Sequence, residues 1–117
     1  MEFESGLEHL KKTWFIDLDG TLLIHNGYKD SADKLLPTTT EFMNTIGSED
    51  IIIITTAREI KYKKQTIDFL KKNNIRFNHI LFGLPSGPRI LINDKKPDGT
   101  KTAYSLNVER NVGVKLY

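Results

Sequence analysis

Ile51-Ile-Ile-Ile54, four β-branched residues in a row before Thr55-Thr56-Ala57-Arg58, limits the fold more than any other stretch of this chain. A run without polar alternation has no solvent face, so as a strand it must be covered on both sides, the habit of parallel sheets under helices. Thr13-Trp-Phe-Ile-Asp17 has the same form and stops at Asp-Leu-Asp-Gly. Ile90-Leu-Ile92 ends in Asn93-Asp94, and weaker strands are expected over 78–82 and 102–108. Between them the spacing predicts a helix over 38–46, with Thr38 as N-cap and Gly47 closing it. A second helix is predicted over 58–72, ended by Asn73-Asn74. Residues 7–12 read equally as a short helix or an extended lead-in. The alternation of strands and helices predicts an open parallel sheet with helices on both faces. In such sheets a ligand sits beyond the carboxyl ends of the strands. All three strong runs deliver polar residues to that end, so they converge on one site.

Composition narrows the function classes. At 117 residues, 38% hydrophobic and 27% charged, the chain reads as one ordinary globular domain over 1–117, with residues 1–12 as lead-in. It has no apolar run of about 18 residues to span a membrane, and the acidic Met1-Glu-Phe-Glu-Ser5 lacks a signal-peptide layout. There is no cysteine, hence no disulfide and no thiolate metal site. A cytoplasmic location fits both absences. A net charge of +2 is too mild to argue for nucleic acid, and Lys61, Lys63, Lys64, Lys71 and Lys72 read as the solvated face of a helix. His9, His25 and His79 have no ligand spacing. His25 is expected in an exposed loop, with substrate contact as the alternative.

Asp17-Leu-Asp19-Gly20-Thr21 carries the chemistry. Asp-Gly by itself marks a turn, but two carboxylates just past a buried strand repel each other and resist desolvation. A divalent cation resolves that conflict, and oxygen ligands suit magnesium. Gly20 lets the chain turn sharply and a phosphate approach the backbone. Thr21 can brace the loop through its hydroxyl.

Phe15-Ile-Asp-Leu-Asp-Gly-Thr-Leu22 resembles the first signature of the haloacid dehalogenase superfamily of phosphatases. The resemblance implies that Asp17 attacks phosphorus and carries an aspartyl-phosphate. It implies that Asp19 protonates the leaving oxygen and then activates water. Ile51-Ile-Ile-Ile-Thr-Thr-Ala-Arg58 is similar to the second signature, with Thr56, or else Thr55, as the hydroxyl that binds the phosphoryl group. Arg58 either contacts substrate or pairs with a carboxylate. Ile90-Leu-Ile-Asn-Asp94-Lys-Lys-Pro-Asp98 resembles the fourth signature, which makes Asp94 a magnesium ligand beside Asp17 and Asp19. Asp98 either supports Asp94 or belongs to a surface turn. The third signature departs: Gly83-Leu84-Pro85 lacks the expected cation. Arg89 is the nearest replacement, although a regular strand over 90–94 would put it about 16 Å away, at the wrong end of the sheet. Lys64, Lys95 and Arg58 are the other candidates.

The implied fold is a three-layer, Rossmann-like sheet of about five parallel strands. The Asp17 strand lies between those ending at Thr56 and Asp94. Residues 22–50 and 57–79 are too short for a cap domain, so the site is open, covered by a large substrate or by another subunit of a homo-oligomer. Residues 84–99 with 102–111 look like small capless members tied to capsule and surface-sugar synthesis. That implies a phosphorylated sugar or a related small molecule as substrate. A phosphorylated macromolecule, a nucleic-acid end or phosphoprotein, and a non-catalytic regulatory domain are the rival readings.

Overall fold

The computed structural model describes residues 9–30 and 32–115. Its centre is a three-stranded parallel sheet in the order β1-β2-β3: β1 is Thr13–Asp17, β2 Ile51–Thr55 and β3 His79–Leu81. Thr13 pairs with Ile51 and Asp17 with Thr55, while Thr55 pairs with Leu81, so the strands end level with one another. Because side chains alternate along a strand, Trp14 and Ile16 share one face with their partners Ile52 and Ile54. Ile16, Ile52 and Ile54 are buried with Leu18, Leu22, Leu23, Phe42, Ile46, Leu70, Ile75 and Val114 in a single core.

The described residues form helices α1 (Gly27–Asp30) and α2 (Thr39–Asn44) between β1 and β2, and α3 (Lys63–Lys72) between β2 and β3, the last entered through a 3-10 turn at Ile60–Tyr62. The expected N-cap Thr38 occupies that position without capping through its side chain. The helix is tied down instead by Thr39, whose hydroxyl donates to the Leu22 carbonyl at 2.6 Å. α3 buries Thr66 and Leu70 and turns its lysines outward, as the sequence predicts. No helix among the described residues is long and apolar enough to cross a membrane.

Asp50 fastens the amino end of the sheet. Its carboxylate accepts the Lys12 N–H at 3.0 Å and the Trp14 indole N–H at 2.9 Å. Burial pushes its pKa up, but these two bonds outweigh that and hold it below the usual carboxylate value. Trp14 in turn packs edge-on against Phe42, with ring centroids 6.0 Å apart.

The sheet departs from expectation on the far side of β1. Neither the strand expected at 90–92 nor the one at 102–108 forms, and β1 lies at an edge rather than at the centre. Ile90, Leu91 and Ile92 are instead 82%, 56% and 89% exposed. They lie on a finger over residues 85–107 that contains no helix or strand. The finger folds on itself through Lys96 N–H to the Thr100 carbonyl, Asn93 to the Thr102 hydroxyl, and Thr102 to the Asp94 carbonyl. A loop this long without secondary structure is uncommon in a compact domain. The cause is in the connection: only Phe82 to Arg89, eight residues and no helix, separate β3 from Ile90. A parallel crossover needs about a dozen or more. Residues 9–12, part of the undecided lead-in, form a turn and an extended stretch; 7 and 8 lie outside the described residues.

Candidate active site

Beyond the carboxyl ends of β1 and β2 lies a cleft of about 460 Å³. Asp17, Asp19, Gly20 and Thr21 line it together with His25, Tyr28, Arg58, Arg89 and Arg110. Gly20 turns the loop with φ +86, a conformation that disfavours any side chain. A Cβ there would also press on Arg110 at 3.1 Å. The loop closes on itself, Gly20 N–H donating to the Leu23 carbonyl at 2.7 Å, while Asn111 N–H donates to the Gly20 carbonyl at 2.8 Å.

Thr21 braces Asp17 as expected, its hydroxyl donating to the carboxylate at 3.1 Å. Loss of hydration in the cleft raises the Asp17 pKa above its ordinary value, helped by the neighbouring charge of Asp19. The Thr21 hydroxyl, the Leu18 N–H and the charge of Arg89 pull the other way without cancelling it.

Asp19 has a different environment. Both its oxygens are taken by Arg58, through Nη2 at 2.8 Å and Nε at 3.1 Å. Arg58 also binds Asp33 through Nη2 at 2.7 Å and Nη1 at 3.1 Å, and donates from Nη1 to the Thr66 hydroxyl at 2.9 Å. Its guanidinium carbon lies 4.0 Å from the centroid of the Tyr28 ring. Of the two sequence readings of Arg58, the structure has the carboxylate partner, with a side chain that exposes no surface. Burial works against its charge, but the two carboxylates raise its pKa above the ordinary value, so it stays charged at every accessible pH.

Thr56 reaches this network: its hydroxyl donates to Asp19 at 3.4 Å and accepts the Arg58 N–H at 3.0 Å. Thr56 and the competing Thr55 are both buried, and neither lines the cleft. Gly83 N–H to the Arg58 carbonyl and Leu84 N–H to the Thr56 carbonyl stitch the loop after β3 to the same turn.

Three expectations change. Arg89 is at the cleft after all, because the strand that would have carried it to the far end does not form. His25 is half-buried in the cleft wall rather than exposed, and its Nδ1 has no hydrogen-bond partner. Asp94 is not brought to Asp17 and Asp19. It is exposed on the finger, and no cluster of three acidic or histidine residues fit for a metal occurs among the described residues. Among the described residues the oxygen set expected for magnesium is therefore incomplete. Asp98 belongs to an exposed turn, accepting the Thr100 N–H at 2.9 Å. Of the remaining cations, Lys64 pairs with Asp68 on the outer face of α3, and Lys95 is exposed on the finger.

The sequence reading missed Asp33, Tyr28 and Arg110. Asp33 lies in a polar loop, and nothing local marks it as the second carboxylate on a buried guanidinium. Arg110 arrives from a segment ninety residues from Gly20 in sequence.

Fold and site together define a parallel α/β domain with paired carboxylates at the carboxyl end of its sheet, faced by arginines. Compared with protein-family models, curated proteins and solved structures, the chain matches none.

Proposed function

We propose that this chain is a phosphate monoester hydrolase of the haloacid dehalogenase type, acting on a sugar phosphate or a related small phosphorylated molecule. One observation carries the reading: Asp17 and Asp19 stand two residues apart at the end of a parallel strand, in a cleft with Arg89 and Arg110 on its wall. The carboxylates suit attack and proton transfer, and the arginines suit the charged oxygens of a phosphoryl group.

In this mechanism an Asp17 oxygen attacks phosphorus, the ester P–O bond breaks, and Asp19 gives a proton to the leaving alkoxide. Water then attacks the aspartyl-phosphate, Asp19 takes its proton, and inorganic phosphate and free Asp17 are regenerated. Arg58 donates to both Asp19 oxygens in the resting protein. To act as the acid, Asp19 must take up a proton and give up part of that pairing. Thr56 is hydrogen-bonded to Asp19 but buried behind it, so its role here is to support Asp19. Magnesium is the ion this family type implies, but among the described residues Asp17 and Asp19 have no third side-chain ligand beside them, so no step is assigned to it.

The test is phosphate release from an aryl phosphate and a panel of sugar phosphates, with and without magnesium. Turnover by the wild type that disappears in Asp17→Asn is the expected result. A folded wild type that hydrolyses nothing on the panel overturns the reading in favour of a binding domain or a macromolecular substrate.

A further inference from the structure

The two arginines on the cleft wall differ in how much of their hydrogen-bonding capacity is left for a ligand. Arg89 gives its Nη1 to the Pro85 carbonyl at 2.7 Å and the Gly87 carbonyl at 2.9 Å, so part of its fork is spent on its own loop. Arg110 gives none of its five donors to a described residue, and none of the described carboxylates pairs with it.

The backbone around Arg110 is nevertheless fixed. Glu109 to Val112 make a turn, closed by the Val112 N–H on the Glu109 carbonyl at 3.2 Å. Asn111 in that turn has φ +63, a left-handed conformation that Asn adopts more readily than other non-glycine residues. From there Asn111 grips the loop after β1 at two points. Its N–H donates to the Gly20 carbonyl at 2.8 Å, and its Oδ1 accepts the His25 N–H at 2.8 Å. The arm of Arg110 is thereby laid across Gly20, where a Cβ would come within 3.1 Å of Arg110 Cγ. Gly20 directly follows Asp19, and its bare backbone is a surface that a phosphoryl group can approach.

We propose that Arg110 is the side chain that binds the oxygens of the phosphoryl group, and that Asn111 is a positioning residue that acts through it. A phosphoryl group offers pairs of oxygens that match two parallel guanidinium N–H groups, and Arg110 has that fork uncommitted. Arg89 then serves as a charge beside Asp17. The assignment rests on the phosphatase reading, so its test is read from binding as well as from turnover.

Inorganic phosphate, titrated by calorimetry, reads the site without turnover. Arg110 and Asn111 are both exposed, so their variants should fold, which a circular-dichroism melt checks. Arg110→Gln should weaken phosphate binding about 10- to 100-fold, the scale of hydrogen bonds to a charged group. It should lower kcat/KM for an aryl phosphate in parallel. Arg110→Lys should regain only part of this, since an ammonium keeps the charge without the fork. Asn111→Gly keeps the left-handed backbone and its N–H but removes the acceptor for His25. Phosphate binding should then weaken about three- to tenfold. The double variant separates positioning from general loosening. If Asn111 acts through Arg110, Arg110→Gln combined with Asn111→Gly should bind phosphate no worse than Arg110→Gln alone.

Losses that add in the double variant overturn the role of Asn111. Phosphate binding that is undiminished in Arg110→Gln, or absent from the wild type, overturns the role of Arg110, and hydrolysis of aryl phosphate in that case leaves the phosphatase reading standing. Phosphate binding that depends on Arg110, in a protein that hydrolyses no aryl or sugar phosphate, upholds the anion site and overturns the phosphatase reading.

Discussion

Ile51–Ile54 and Ile90–Ile92 are nearly the same sequence with opposite fates. Ile52 and Ile54 are buried at the heart of the sheet, whereas Ile90 and Ile92 are almost fully exposed on the finger. Propensity does not separate them, because both runs are apolar and rich in isoleucine and both lead into polar residues. What separates them is the connection. β2 is reached from β1 over 33 residues that include two helices, Leu18 to Asp50, whereas Ile90 is reached from β3 over eight residues with none. A strand needs a neighbour, and the neighbour must be reachable.

The comparison breaks most forcefully at Arg58, which locks the turn after β2. Arg58→Ala would leave Asp19 and Asp33 facing each other without their shared cation. Unfolding in denaturant should show a loss of about 3–5 kcal/mol, the range for breaking a buried ion pair from one side. Arg58→Lys should recover only part of this, because an ammonium cannot bind both carboxylates in fork geometry.

Asp50→Asn at the other end of β2 should cost about 1–2 kcal/mol, since the Lys12 and Trp14 donors go to different carboxylate oxygens and an amide keeps only one of those acceptors. The wild type should show the matching pH dependence. A carboxyl with a folded pKa below its unfolded value contributes stability above the unfolded value and loses it as pH falls through the folded one. The gap between wild type and Asp50→Asn should therefore be full at pH 7 and should close below about pH 4. A gap that persists under acid would show that the charge is not what matters.

Asp17 has the opposite sign. Its folded pKa is raised, so ionisation opposes folding at neutral pH, and the penalty is relieved as pH falls through the folded value toward the unfolded one. Asp17→Asn should give a small rise in Tm at pH 7, measured by calorimetry, while activity disappears. A fall in Tm would contradict the cleft environment assigned to Asp17.

The smallest effect belongs to the finger. Ile92→Ser touches no core residue, so the unfolding free energy of the isolated body should change by no more than about 0.5 kcal/mol. The same substitution in the core, Ile52→Ser or Ile54→Ser, should be severely destabilising.

These contrasts mark how far the sequence could be read. The runs at 13–17 and 51–55 were legible because short stretches of aromatic and β-branched residues without polar alternation admit few other uses. The loop from Asp17 to Thr21 was legible because each residue has a local job, the turn at Gly20 and the Thr21 bond among them. Asp33 was hidden because its partner is 25 residues away and reached only through tertiary packing. The finger was misread because local pattern reports what a segment can form, not whether a neighbouring strand is within reach. The short span from Phe82 to Arg89 was the available warning, and it also bears on Arg89, whose placement was inferred from a strand that does not form.

Both ends of the finger are planted in the same cleft, Arg89 where it leaves and Arg110 where it returns, with Asn111 bonded to Gly20 and Val114 in the core. It is therefore a loop on a finished body rather than a terminal arm. A single proteolytic cut within it should leave both new ends tied to the same body.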